Sequence, residues 1–173
     1  MIKLREAQFP DYRLIAKLHS TSWQKSYRGI LSDAFLDHEV EQERNDAWFK
    51  RLQFPTTNQQ VTIATNNENM VGFSCILLDD DPDFGSLLDN LHVSITMQKS
   101  GIGKLLMKDC ARTVYEKGSS NKMYLWVYES NTNARTFYER LEGKKFETIK
   151  TQNPDGTRSP VCRYIWNDVS KLL

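Results

Sequence analysis

The chain has 173 residues, 39% of them hydrophobic and 26% charged, and its 23 basic and 22 acidic side chains leave a formal net charge of +1. A domain of about this length buries roughly 70% of its extended-chain surface, so a core can form without disulfides or metal, and a single domain over residues 1–173 is expected. The balanced charge removes the basic footprint that nucleic-acid binding ordinarily shows, so any charged function must be local.

Ile2 to Arg5 alternates and predicts a short first strand. A helix follows from Asp11, placed as its N-cap, with Leu14, Ile15, Leu18 and Ser22 on one face. A second helix is predicted from Ser32 to about Leu52, with Phe35, Leu36, Trp48, Phe49 and Leu52 as apolar positions and Pro55 beyond its end. The period then changes to two. Val61 to Ala64 and Met70 to Leu77 read as a hairpin turning at Asn66-Asn67-Glu68-Asn69. The acidic run Asp79-Asp80-Asp81-Pro82-Asp83 reads as a solvated turn into a further strand, Gly85 to Val93. Next come a helix from Gly101 to about Lys117, a strand from Met123 to Tyr128 and a helix from about Thr132 to Leu141. Strands near Lys145 to Ile149 and Val161 to Trp166 flank the turn signal Asn153-Pro154-Asp155-Gly156.

Cys75, Cys110 and Cys162 lie far apart, with no Cys-x-x-Cys pair and no histidine at ligand spacing, so neither a disulfide framework nor a metal site is expected. Each falls in a predicted strand or on an apolar helix face and reads as a small buried hydrophobe. No apolar run approaches the roughly 18 residues of a membrane span; a cytoplasmic protein without a membrane partner is expected.

The most informative stretch runs from Leu91 to Lys104, out of a strand, through a polar loop and into a helix. Gly101 and Gly103 let the backbone approach a ligand and aim N–H groups at an anion, and the helix N-terminus, Lys99 and Lys104 add positive potential. A phosphate group is the natural guest. The stretch is not a P-loop, because Gly103-Lys104 is followed by Leu105 rather than a hydroxyl residue that would hold magnesium. It is a poor dinucleotide fingerprint, because the third glycine would fall on Leu106.

Gln98-x-x-Gly101-x-Gly103 between an apolar strand and a helix, followed by Asn131-x-x-Ala134-x-x-Phe137-Tyr138-Glu139 opening the next helix, resembles the GNAT superfamily of acyl-CoA-dependent N-acetyltransferases. The order of elements matches over essentially the whole chain. The resemblance implies an α/β (α+β) fold with a mixed central sheet of about seven strands and flanking helices: strand, two helices, three strands, helix, strand, helix, two strands. It implies acetyl-CoA as co-substrate, with no metal, its pyrophosphate cradled by Gln98, Lys99, Ser100, Gly101, Ile102, Gly103 and Lys104. The strand end Leu91-His92-Val93 would pair with the pantetheine arm, where a neighbouring N–H polarises the thioester carbonyl. Asn131, with Ala134 in the same motif, would hold the arm from the opposite side, and Tyr138 would stand near the thioester sulfur.

The Tyr138 hydroxyl, with an ordinary pKa of ~10, stays protonated at neutral pH and can donate to the departing thiolate. Phe137 and Leu141 on its face also offer it a purely structural place. Relatives often carry a glutamate base where this chain has Leu87. Asp89 shares that face by strand alternation and is the candidate base, His92 falls on the other face, and a water chain to bulk serves equally. His19, Trp23 and Tyr27 recur every four residues; since the first two helices wall the acceptor pocket in such folds, Trp23 and Tyr27 are the implied substrate contacts. The implied function is direct acetyl transfer to a primary amine, small or on a peptide or protein, without an acyl-enzyme. A homodimer fits the resemblance. The competing class is a non-catalytic acyl-CoA sensor or interaction module on the same fold.

Overall fold

A computed structural model describes residues 1–173. Its strands are β1 (Ile2–Glu6), β2 (Gln59–Asn66), β3 (Asn69–Asp81), β4 (Gly85–Val93), β5 (Met123–Tyr128), β6 (Lys144–Gln152) and β7 (Arg158–Trp166). Its helices are α1 (Tyr12–Ser26), α2 (Asp33–His38), α3 (Val40–Gln53), α4 (Ile102–Lys117) and α5 (Thr132–Arg140). The strands form one seven-stranded sheet in the order β1-β2-β3-β4-β5-β7-β6. Every neighbouring pair is antiparallel except β4 and β5, which α4 joins as a parallel crossover.

Alternation along β3 sorts the core into two layers. Phe73 and Cys75 pack with Ile15, Trp48 and Ile63 under α1 and α3, while Ile76 packs with Met107, Cys110, Val114 and Leu125 under α4. All the cysteines are free and buried. The β2–β3 hairpin turns through Asn67 (φ 47°) and Glu68 (φ 69°), the left-handed pair that a two-residue turn requires. No helix is long and apolar enough to cross a membrane.

Several expectations are corrected. The predicted helix from Ser32 to Leu52 breaks at Glu39 into α2 and α3. The acidic run begins inside β3, and Asp81 rather than the whole run makes the turn by accepting from the N–H groups of Asp83 and Phe84. Asp11 does not cap α1 with its side chain; its carboxylate turns back to the Gln8 N–H and to Arg5. The buried face of α1 is Tyr12, Ile15, Ala16, His19 and Ser20, with Leu14 exposed.

One correction bears on the site. Cys75 pairs with Asn90 and Ile76 with Leu88, so Asp89 is an extra residue in β4, a β-bulge. Beyond it the alternation is shifted. His92 pairs with Phe73 and stacks on it at 5.3 Å, so it faces α1 and α3, the same side on which the Asp89 carboxylate meets Arg51 of α3.

Candidate active site

The parallel strands β4 and β5 pair at Ser86–Met123 and Leu87–Tyr124 and then part. Beyond Leu87, β4 stays with β3 as far as Val93, while β5 stays with β7 as far as Tyr128. The Asp89 bulge lies two residues past the last shared pair, where a bend ends pairing. A wedge therefore opens at the carboxyl ends of two parallel strands, the place where open α/β sheets bind ligands. Leu91-His92-Val93 forms one lip; Leu91 and Val93 turn toward α4.

At the mouth of the wedge the chain passes from β4 through a single 3₁₀ turn, Ile95–Met97, into α4. Lys99 (φ 62°) and Gly101 (φ 87°) both adopt left-handed backbone. As a result the backbone N–H groups of Lys99, Ser100, Gly101, Ile102, Gly103 and Lys104 have no hydrogen-bond partner in the chain, and the first helical bond runs from the Leu105 N–H to Gly101 O. Such a row at the start of a sixteen-residue helix is a cradle for an anion. Gln98, Lys99 and Lys104 lie beside it, and neither lysine is ion-paired. Ile102 contributes backbone only, since its side chain is buried against Ala64, Val71 and Leu106. A Cβ on Gly103 would meet the Phe137 ring at 3.3 Å, so the helix start is seated on α5.

Asn131 caps α5, its Oδ1 accepting from the Ala134 N–H at 3.3 Å, which commits its oxygen and leaves its amide N–H₂ as donor. Ala134 packs on the α4-side core. The Tyr138 ring lies between Phe137 (5.3 Å) and Trp166 (6.1 Å). Burial raises its pKa well above the ordinary tyrosine value, with Cys110 adding to the shift, and no hydrogen bond within the chain contributes. It is a protonated, unengaged donor.

Across the sheet, the Trp23 and Tyr27 rings meet at a tilt with centroids 5.4 Å apart, and Tyr27 meets Tyr128 edge-on at 4.8 Å. Tyr27, raised by burial, is also sensitive to Tyr128 and Tyr138, which brings the α1 wall and the α5 hydroxyl into one neighbourhood. Tyr128 donates to Asn153 Oδ1 at 3.0 Å, and the Ser32 N–H donates to Asp155, so the β6–β7 turn closes over the start of α2.

Below this wall lies a polar group that alternation alone did not bring together. His92 Nδ1 and Ser22 Oγ are 3.0 Å apart, and the His92 and His19 rings are 4.3 Å apart. Burial, helped by the charge of Arg44, pulls the His92 pKa down to about 4. His19 is also held well below its usual value by burial, and its Nδ1 accepts from the Trp48 indole at 2.9 Å. Both imidazoles are neutral at neutral pH. Asp89 is engaged with Arg51 and with the Asn90 amide. Arg44 and Tyr128 carry no local sequence signal: Arg44 sits in an ordinary charged run and Tyr128 ends a core strand.

Comparison with known proteins gives a consistent result. The family model "Acetyltransferase (GNAT) family" matches residues 15–143. The uncharacterized N-acetyltransferase YuaI of Bacillus subtilis is 27% identical over 180 residues, covering 99% of this chain and 96% of that protein. Among solved structures, the PaiA N-acetyltransferase of Thermoplasma acidophilum in complex with coenzyme A superposes with a TM-score of 0.71 at 16% identity, covering 94% of this chain and 98% of that one. A single-site mutant of the spermidine N-acetyltransferase SpeG of Vibrio cholerae gives 0.69 at 18% identity, covering 99% and 96%.

Proposed function

The chain belongs to the GNAT acetyltransferase family, and on that premise we propose that it transfers an acetyl group from acetyl-CoA directly to an amine. The observation that carries this reading is the uninterrupted row of unpartnered N–H groups from Lys99 to Lys104 at the mouth of the β4–β5 wedge. It suits the pyrophosphate of coenzyme A, with Lys99 and Lys104 supplying countercharge and Asn131 a donor on the far side.

The state of two of the thiols supports the direct route. Cys75 and Cys110 are buried, with thiol pKa values pushed up to about 12, so neither offers a thiolate to form an acyl-enzyme. In this reading the amine itself attacks. For an amine with a pKa of ~10.4, reaching the free base at pH ~7 costs about 4.6 kcal/mol, and the site must take up that proton. Asp89 and His92 both face the α1–α3 side of β4; we keep Asp89 as the candidate for that role, directly or through water, with a water chain to bulk as the alternative route. Tyr138 holds a proton on a hydroxyl free of other bonds and would deliver it to the leaving thiolate.

Following free thiol release from acetyl-CoA over a panel of amines tests the function. Acceptor-dependent release is expected; tight coenzyme A binding with no release on any amine would instead support the sensor reading. Run against pH on Asp89→Asn, the same assay tests the base: an unchanged rate and profile would remove Asp89 from the mechanism.

A further inference from the structure

Resting on the acetyltransferase reading, we propose that Arg44 selects the acceptor, and that the acceptor is an amine bearing a carboxylate, of the amino-acid class, rather than a polyamine. Arg44 projects from α3 with its guanidinium carbon 4.4 Å from the centroid of the Trp23 ring. Trp23 leads one way to Tyr27 and Tyr128 and the other way to His19, at 4.9 Å, and His92. Arg44 thus stands at the middle of the aromatic wall. Its positive charge acts on His19, His92, Tyr27 and Tyr128 alike, whereas the only carboxylate acting on any of the four is Asp155, at Tyr128.

The guanidinium has no committed partner from elsewhere in the fold. Its one acidic contact is the adjacent Glu43, held through Nε and Nη2, while Nη1 makes no hydrogen bond. The Arg44 side chain is 16% exposed and that of Glu43 34%, so the pair is reached by solvent chiefly from its acidic side, and Nη1 is left to meet a second carboxylate. A guanidinium stacked on an indole face is already oriented for the planar, bidentate grip that suits a carboxylate. Several ammonium groups brought to the same place would meet a like charge instead.

The experiment uses the full chain with acetyl-CoA and matched amines: phenylalanine, phenylalaninamide and phenethylamine; lysine and cadaverine; and spermidine. The carboxylate-bearing members are expected to exceed their counterparts by about tenfold or more in kcat/KM, the scale of a charged hydrogen-bonded contact. Arg44→Gln should raise KM for amino acids by a similar factor with little change in kcat and erase the preference, and Arg44→Lys should restore part of it. Glu43→Gln should lower that KM, because the competing carboxylate is gone; a merely structural Arg44 would not produce this gain. Preference for spermidine or the amides, or an unchanged amino-acid KM in folded Arg44→Gln, would overturn the proposal. If no amine is turned over, thermal stabilisation of the coenzyme A-loaded chain by the same amino acids decides. Stabilisation lost in Arg44→Gln keeps the carboxylate site and sinks the transferase reading; no stabilisation sinks both.

Discussion

Lowering the pH from about 7 to about 4 is expected to destabilise the chain through His92. In the unfolded chain this imidazole takes up a proton near pH ~6.5, whereas in the fold it resists until about 4 because it is buried against Phe73, His19 and Ser22 and feels Arg44. Between those values the unfolded state binds more protons than the folded one, so stability falls as pH falls, and above ~6.5 this contribution is flat. The difference amounts to roughly 3 kcal/mol by pH ~4, at about 1.36 kcal/mol per unit. His19 acts in the same direction. The carboxylates held below their usual range, Asp11 among them, lose their contribution only at still lower pH, which leaves the window to the imidazoles. Urea unfolding at steps between pH ~4.5 and ~7.5 measures the slope for the wild type and for His92→Gln. The glutamine amide does not titrate but still bonds to a hydroxyl, so whatever stability the variant starts from, it must lose much of the slope. Equal slopes in the two proteins, or a flat wild-type curve, would refute the burial and neutrality assigned to His92.

Tyr138→Phe removes a hydroxyl that bonds to nothing in the chain, so its unfolding free energy should stay within about 1 kcal/mol of wild type. The kcat of the same variant should fall by roughly 10²- to 10⁴-fold if the hydroxyl is the acid, and full activity would remove that role. Gly101→Ala forces an L side chain into φ 87° although the space around the position is open, so the expected cost of about 1 kcal/mol comes from backbone alone. If the loop relaxes to relieve it, the N–H row is disturbed and the KM for acetyl-CoA rises, which steady-state kinetics would show.

The sheet was legible because each of its strands has a local signature: apolar alternation, paired turn residues and punctuating glycines and prolines. Helix breaks and faces were less so. Nothing in His38-Glu39-Val40 resembles a stop, and the residues around the break, Leu31, Phe35, Leu36 and Val40, pack together as a separate small cluster. In α1 the apolar pattern admitted a face through Leu14, but the buried stripe runs instead through His19, whose Nδ1 accepts from Trp48 while its Nε2 is buried without a partner. The glycine loop ahead of α4 was legible because its signal is local, two glycines and a helix start. Arg44 was not, because its significance lies in what α3 brings it beside, Trp23 on another helix.

The misplacement of His92 has one cause, and it joins the sheet to the site. Alternation holds only while the pairing count is unbroken, and Asp89 adds a residue that β3 does not match. That extra residue lets β4 follow β3 to Val93 while leaving β5 after Leu87, so the wedge and the turned imidazole come from the same bulge. The geometry also depends on Gly72, opposite Val93 in β3. A Cβ there would lie 2.9 Å from the His92 carbonyl oxygen, 3.2 Å from Leu106 and 3.3 Å from Ile102. A bare backbone at Gly72 therefore allows the first turn of α4 to close onto the lip of the wedge. The loop that offers its N–H groups to an anion and the strand that would run beside the pantetheine arm are held in register through that one close contact, and a side chain at this position would push them apart.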